Sequence, residues 1–126
     1  MGFAVSDVLA ADSPAAVERL LSADVVFHSP VADYTGRADV AHLLATIARC
    51  VHDVREGHGF LDGGRSATEF TGRVGDQAVD GVLIQRIDAD GLLAEATLLL
   101  RPLAALRTAV GLMRDALAAA PLPSAG

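Results

Sequence analysis

The chain of 126 residues moves between two hydrophobic periods. FAVSDVLAA (3–11) predicts one or two helical turns. Asp12-Ser13-Pro14 then marks a second helix start: Ser13 can cap it, and Pro14 takes the first helical position, where a missing N–H is no loss. Val17, Leu20 and Leu21 keep the three- and four-residue spacing of a buried face, so this helix is expected to run to about Ala23. A short strand over 24–28 stops at Pro30, and 29–36 reads as a loop. From Arg37 to about Asp53 the helical period returns. Val40, Leu43, Leu44, Ile47, Ala48 and Val51 share one stripe, with Asp39 in the first turn where an acid suits the helix dipole.

Four segments with strand character follow, at about 54–61, 67–74, 78–88 and 92–101. Gly63-Gly64, Gly75-Asp76 and Asp90-Gly91 separate them and are hairpin signals. The closing stretch 103–119 is amphipathic, with Leu103, Leu106, Val110, Met113 and Leu117 expected inward, and the tail from about 121 to 126 is expected to fray. Helices followed by a strand meander predict a single α+β domain over 1–126, its antiparallel sheet packed on the helices.

Turn lengths suggest a register. A two-residue turn at 75–76 sets Val74 opposite Gln77, Gly72 opposite Val79 and Phe70 opposite Gly81. A four-residue turn at 88–91 sets Gln85 opposite Ala94 and Leu83 opposite Ala96. Alternation then puts Phe70, Gly72, Val74, Val79, Gly81, Leu83, Gln85, Ile87, Leu92, Ala94, Ala96, Leu98 and Leu100 on a face toward the helices. Gly72, Gly81, Ala94 and Ala96 leave room there, a candidate pocket floor. Glu69, Asp80, Leu93, Glu95, Leu99 and Arg101 fall on the other face, which is apolar enough to suit a homodimer contact with a charged rim. A slip of one residue would turn all three acids inward.

Composition narrows the function classes. The net charge of −6 opposes binding to a nucleic-acid backbone. The single cysteine, Cys50, allows no intrachain disulfide and fits a reducing, cytoplasmic setting. There is no apolar run long enough for a membrane span and no basic leader. Every basic residue is arginine, a bias expected of a GC-rich bacterial genome. The sequence shows no phosphate-binding glycine loop and no nucleophile elbow. Cys50, His52 and His58 match no zinc spacing, so no metal and no cofactor are expected.

Three stretches, in this order and spacing, carry a family likeness: LLSADVVFHSPVADYTGRADVAHLL (20–44), TEFTGRVGDQAVDGVLIQRIDADGLLAEATLLL (68–100) and RPLAAL (101–106). The chain resembles the SnoaL-like group of the nuclear transport factor 2-like superfamily. The resemblance implies a cone-shaped α+β fold in which a curved antiparallel sheet wraps around helices and leaves an apolar cavity. It also implies that enzymatic members, such as isomerases, cyclases and dehydratases, place an acid or an acid–histidine pair inside the cone, whereas other members only bind or scaffold.

Candidate residues follow from both readings. His28, Asp33 and His58 are the candidate acid/base groups. Tyr34, Phe70, Leu83, Gln85, Ala96 and Leu98 are the candidate ligand-binding residues, with Tyr34 or Gln85 able to polarise a bound oxygen. The first expectation is a binder of a small apolar molecule. The alternatives are a proton-transfer enzyme and a non-catalytic dimeric interaction module.

Overall fold

The computed structural model describes residues 2–125. Two short helices, α1 (Val5–Leu9) and α2 (Pro14–Glu18), precede strands β1 (Leu21–His28) and β2 (Asp33–Thr35). Helix α3 (Arg37–Cys50) leads into β3 (His52–Asp62), β4 (Arg65–Val74), β5 (Gln77–Ile87) and β6 (Leu93–Arg101). Helix α4 (Leu103–Ala119) and a 3-10 turn (Pro123–Ala125) close the chain. The strands form one curved, unclosed sheet in the order β2-β1-β6-β5-β4-β3.

Local chemistry explains most of these boundaries. Ser13 Oγ accepts a hydrogen bond from the Ala16 N–H at 3.3 Å, so the Ser-Pro start works as expected. The helix it starts is shorter than its apolar spacing suggests. Leu21 already belongs to β1, and the Leu93 N–H donates to the Leu20 carbonyl at 2.7 Å. Leu20–Leu21 therefore serve the sheet rather than a helix face. The sheet is mixed, because β1 runs parallel to β6, with Phe27 opposite Ala96 and His28 opposite Thr97. Part of the expected loop 29–36 is the edge strand β2, paired antiparallel with β1.

The β4–β5 hairpin has the register its Gly75-Asp76 turn dictates: Val74 opposite Gln77, Gly72 opposite Val79, Phe70 opposite Gly81. Gly75 sits at φ 57, where a Cβ would be strained. The β5–β6 register differs from the expected one. Gln85 faces Ala96 and Leu83 faces Leu98, and the step from Arg86–Glu95 to Ile87–Leu93 leaves Ala94 as an extra residue. This bulge re-aims one residue, so Leu93 is buried rather than on the outer face and Ala94 is only partly covered. Arg86 and Glu95, and Asp80 and Arg101, stand directly opposite one another.

The core lies between the concave sheet face and the helices. Val5, Val8 and Leu9 of α1, Val25 and Phe27 of β1, Leu44 of α3 and Leu83 of β5 are essentially inaccessible. Helix α3 is buried over a broad arc, from Val40 and Ala41 through Ile47 to Cys50. Helix α4 is not: Ala105 and Ala109 are its buried residues, and Leu103, expected inward, is exposed. The tail is held rather than frayed up to Ala125. Asp39 accepts from the Ser124 N–H at 3.0 Å and from its hydroxyl at 2.5 Å, while His42 Nε2 meets the Ala120 carbonyl at 2.7 Å. Gly126 is outside the described residues.

Candidate functional site

A cavity of about 210 Å³ lies between α3, α4, β6 and the β1–β2 turn. Leu43, Ile47, Cys50 and Val51 come from α3 and its end, Leu98 and Leu100 from β6, and Leu106, Ala109, Val110, Met113, Arg114 and Leu117 from α4. Ser29, Pro30, Val31 and Tyr34 complete it. The wall is mostly aliphatic because α4 approaches the sheet through alanines. Ala109, almost fully buried, leaves space where a larger side chain would pack.

Four of the lining residues, Ser29, Tyr34, Cys50 and Arg114, have polar side-chain atoms. Ser29 Oγ is used within its own turn: it accepts from the Ala32 N–H at 3.0 Å and donates to the Ala32 carbonyl at 2.8 Å. The Cys50 thiol is buried, and desolvation raises its pKa, which favours the protonated thiol. Tyr34 and Arg114 are the other two lining residues that carry polar groups, a hydroxyl and a guanidinium. No carboxylate or imidazole of the described residues lines the cavity.

At the small β-strand residues of the expected pocket floor, the space next to the backbone is taken by neighbouring groups. A Cβ on Gly81 would lie 2.3 Å from Phe70 Cζ, so the Phe70 ring occupies that space. A Cβ on Gly72 would lie 3.2 Å from Val51 Cγ1 and 3.1 Å from the His52 carbonyl. Gln85, completely buried, accepts from the Phe3 N–H at 2.9 Å and donates to the Phe3 carbonyl at 2.7 Å. It ties the N-terminal segment to the sheet and is not free to meet a ligand. Glu56 continues this attachment by accepting from the Val5 N–H at the start of α1.

Of the candidate ligand-binding residues, Tyr34 and Leu98 line the cavity, whereas Phe70, Leu83, Gln85 and Ala96 are buried and do not line it. Of the candidate acid/base groups, His28 and Asp33 are brought together, but on the sheet face opposite Phe27 and therefore away from the cavity. His58 is exposed on the edge strand β3, remote from both. Residues 4–96 match the SnoaL-like domain family. The chain belongs to the SnoaL-like family. No curated protein sequence matches it. Among solved structures, this SnoaL-like protein is similar to a steroid delta-isomerase from Pseudomonas aeruginosa, with 30% identity, TM-score 0.80 and coverage of 84% of this chain and 80% of that one. It is also similar to an uncharacterised bacterial protein with a cystatin-like fold from Silicibacter pomeroyi, with 28% identity, TM-score 0.77 and coverage of 90% and 79%. A ketosteroid isomerase-like protein from Catenulispora acidiphila, solved with trimethylamine, shares the fold at 16% identity and TM-score 0.65, covering 84% and 88%.

On its outer sheet face this SnoaL-like protein carries a charged cluster centred on His28. Nδ1 meets Asp33 at 2.7 Å and Nε2 meets Glu95 at 2.8 Å, and Glu95 also accepts from Arg86 Nε at 3.3 Å. The hydrogen bond to Asp33, then that to Glu95, raises the His28 pKa above its ordinary 6.5. The hydrogen bond with His28, then that with Arg86, lowers Glu95 below its ordinary 4.5. An imidazolium donating to two carboxylates is a strut joining β2, β1 and β6, with both ring nitrogens engaged. The His28 contribution is complete below pH 6.5 and is lost as pH rises through the raised value. The Glu95 contribution is complete above pH 4.5 and is lost as pH falls through the lowered value. His28→Ala is expected to lower stability by up to about 1 kcal/mol at pH 5.5, because the groups of this cluster are partly exposed to solvent. The difference from wild type should shrink by pH 9, as urea midpoints at the two pH values will show. A difference that grows toward pH 9 would contradict the strut.

Sequence reasoning missed Cys50 and the α4 wall, Ala109 to Leu117. The signal was present: the apolar positions Leu106, Val110, Met113 and Leu117 are one stripe, but a stripe read as core says nothing about whether its neighbours fill the gap.

Proposed function

We propose that this SnoaL-like protein binds a small apolar molecule between α3, α4 and β6. The observation that carries the reading is the cavity itself, a hollow bounded by aliphatic side chains with two polar groups, Tyr34 and Arg114, unengaged by other described residues. A few polar groups in an apolar hollow is the usual composition of a ligand site. Its volume, about 210 Å³, falls below the roughly 300–1,000 Å³ of drug-sized sites, which favours a ligand of one ring or a short chain. The likeness to a steroid delta-isomerase raises proton transfer as the rival. That chemistry needs a general base within hydrogen-bond reach of the substrate. Among the described residues the lining offers no carboxylate or imidazole base, and the His28–Asp33 pair is on the other side of the sheet, so binding without catalysis is the better supported reading.

The test is to fill the hollow. Ala109→Leu puts three carbons into the cavity from a helix position that is otherwise well packed. It is expected to raise stability by about 1 kcal/mol and to weaken binding of a small apolar probe such as butylbenzene at least tenfold, measured by calorimetric titration. Unchanged probe affinity in a more stable variant would move the binding site elsewhere.

A further inference from the structure

We infer that the molecule held in this cavity carries one anionic group, a carboxylate in the simplest case, received by Arg114 and Tyr34. The inference rests on the proposed cavity reading and specifies the chemistry of its occupant. Arg114 is exposed at the solvent side of the wall, and no carboxylate lies beside it in the lining. Its own helix does not neutralise it either. Positions three and four residues away are Val110, Gly111, Leu117 and Ala118, so no acid stands at the spacing that would pair with it. Three other arginines do pair with acids: Arg65 and Arg86 with Glu95, and Arg101 with Asp80. Neither Arg114 nor the Tyr34 hydroxyl has a hydrogen-bond partner among the described residues, and both border the same hollow.

An apolar hole with one unpaired cation and one hydroxyl at its wall is complementary to an apolar body with a single anionic head. The guanidinium offers a fork of donors that fits a carboxylate, and the phenol adds a third donor. The tail would lie among Leu43, Ile47, Leu98, Val110 and Met113. The chain's net charge of −6 opposes anions at long range. Screening confines that effect to about 10 Å at ordinary ionic strength, so local contacts decide recognition.

The matched probes are 4-phenylbutanoate and 4-phenyl-1-butanol, titrated calorimetrically into the full chain at pH 7. The carboxylate is expected to bind about tenfold more tightly, the effect of charge-assisted hydrogen bonds at a partly exposed site. In Arg114→Gln the carboxylate should lose about that factor while the alcohol changes less than twofold, so the preference disappears. Tyr34→Phe should weaken the carboxylate severalfold and leave the folded state intact, because the hydroxyl has no protein partner to lose. Equal affinity for the two probes in the wild type, or an Arg114→Gln variant that keeps the preference, would overturn the anionic head and leave the apolar site standing. If neither probe binds, both readings fall.

Discussion

Gln85→Leu is expected to lower the folding free energy by about 2–4 kcal/mol, because the substitution strands both the N–H and the carbonyl of Phe3 next to a fully apolar side chain. The amide of Gln85 acts as a short piece of β-ladder: one atom accepts from Phe3 and the other donates to it. Leucine is the somewhat larger side chain, so no hole is left and the loss comes chiefly from unmade hydrogen bonds. The consequence spreads to α1, whose residues Val5, Val8 and Leu9 are buried only while residues 3–5 stay docked on Gln85 and Glu56. The urea midpoint should fall with little change in slope, and the Phe3 amide should lose its protection against hydrogen exchange. Gln85→Glu provides an internal control. A neutral carboxylic acid can still accept one hydrogen bond and donate one, whereas the buried carboxylate cannot donate. Burial raises that carboxyl's pKa in the folded state, so the folded state binds the proton more tightly and stability falls as pH rises through the raised value. The variant should therefore be closer to wild type at pH 4 than at pH 7. Equal destabilisation of Gln85→Leu and Gln85→Glu at both pH values would mean that the two hydrogen bonds are not what holds the N-terminus.

How much of this was legible in the sequence depends on whether the deciding contact is local. The β4–β5 register follows from a two-residue turn and was readable, as was the Ser13-Pro14 helix start. The β5–β6 register turns on a bulge at Ala94, which no residue type there announces, and it reassigns Leu93 from surface to core. The parallel pairing of β1 with β6 joins segments about seventy residues apart, and it alone brings His28 to Glu95. Parity along β1 is then enough to see that Phe27 and His28 cannot face the same side, so a histidine beside a buried phenylalanine was never in the cone. The candidate pocket floor depends on non-local contacts in the same way. Small residues show where space exists, not what fills it: Phe70 takes the space at Gly81, the N-terminal segment docks on Gln85, and a cavity lies where α4 packs with alanines.

That account makes Gly81 the position where one methyl group should matter most. Its Cβ would meet Phe70 Cζ at 2.3 Å, Cε1 at 2.6 Å and the Leu99 carbonyl oxygen at 2.9 Å. The ring is buried and the carbonyl belongs to the backbone of the adjacent strand, so the methyl group is accommodated only if one of them shifts. Gly81→Ala is expected to destabilise the fold by about 2–3 kcal/mol through overpacking. Gly111→Ala in α4 is the contrast, since a Cβ there meets nothing within 4 Å and alanine should stabilise the helix by up to about 1 kcal/mol. Truncating the ring separates the two obstacles at Gly81. Phe70→Leu alone leaves a partial hole and lowers stability, but the Gly81→Ala and Phe70→Leu double variant should be less destabilised than the sum by about 1 kcal/mol or more, the coupling expected of residues in direct contact. Simple additivity would mean that the Leu99 carbonyl, not the ring, sets the limit. Because Phe70 does not border the cavity at α4, probe affinity should be unchanged in Gly81→Ala at temperatures where the variant is folded. A loss of binding there would bring the ligand back to the β4–β5 end of the sheet and against the Phe70 ring.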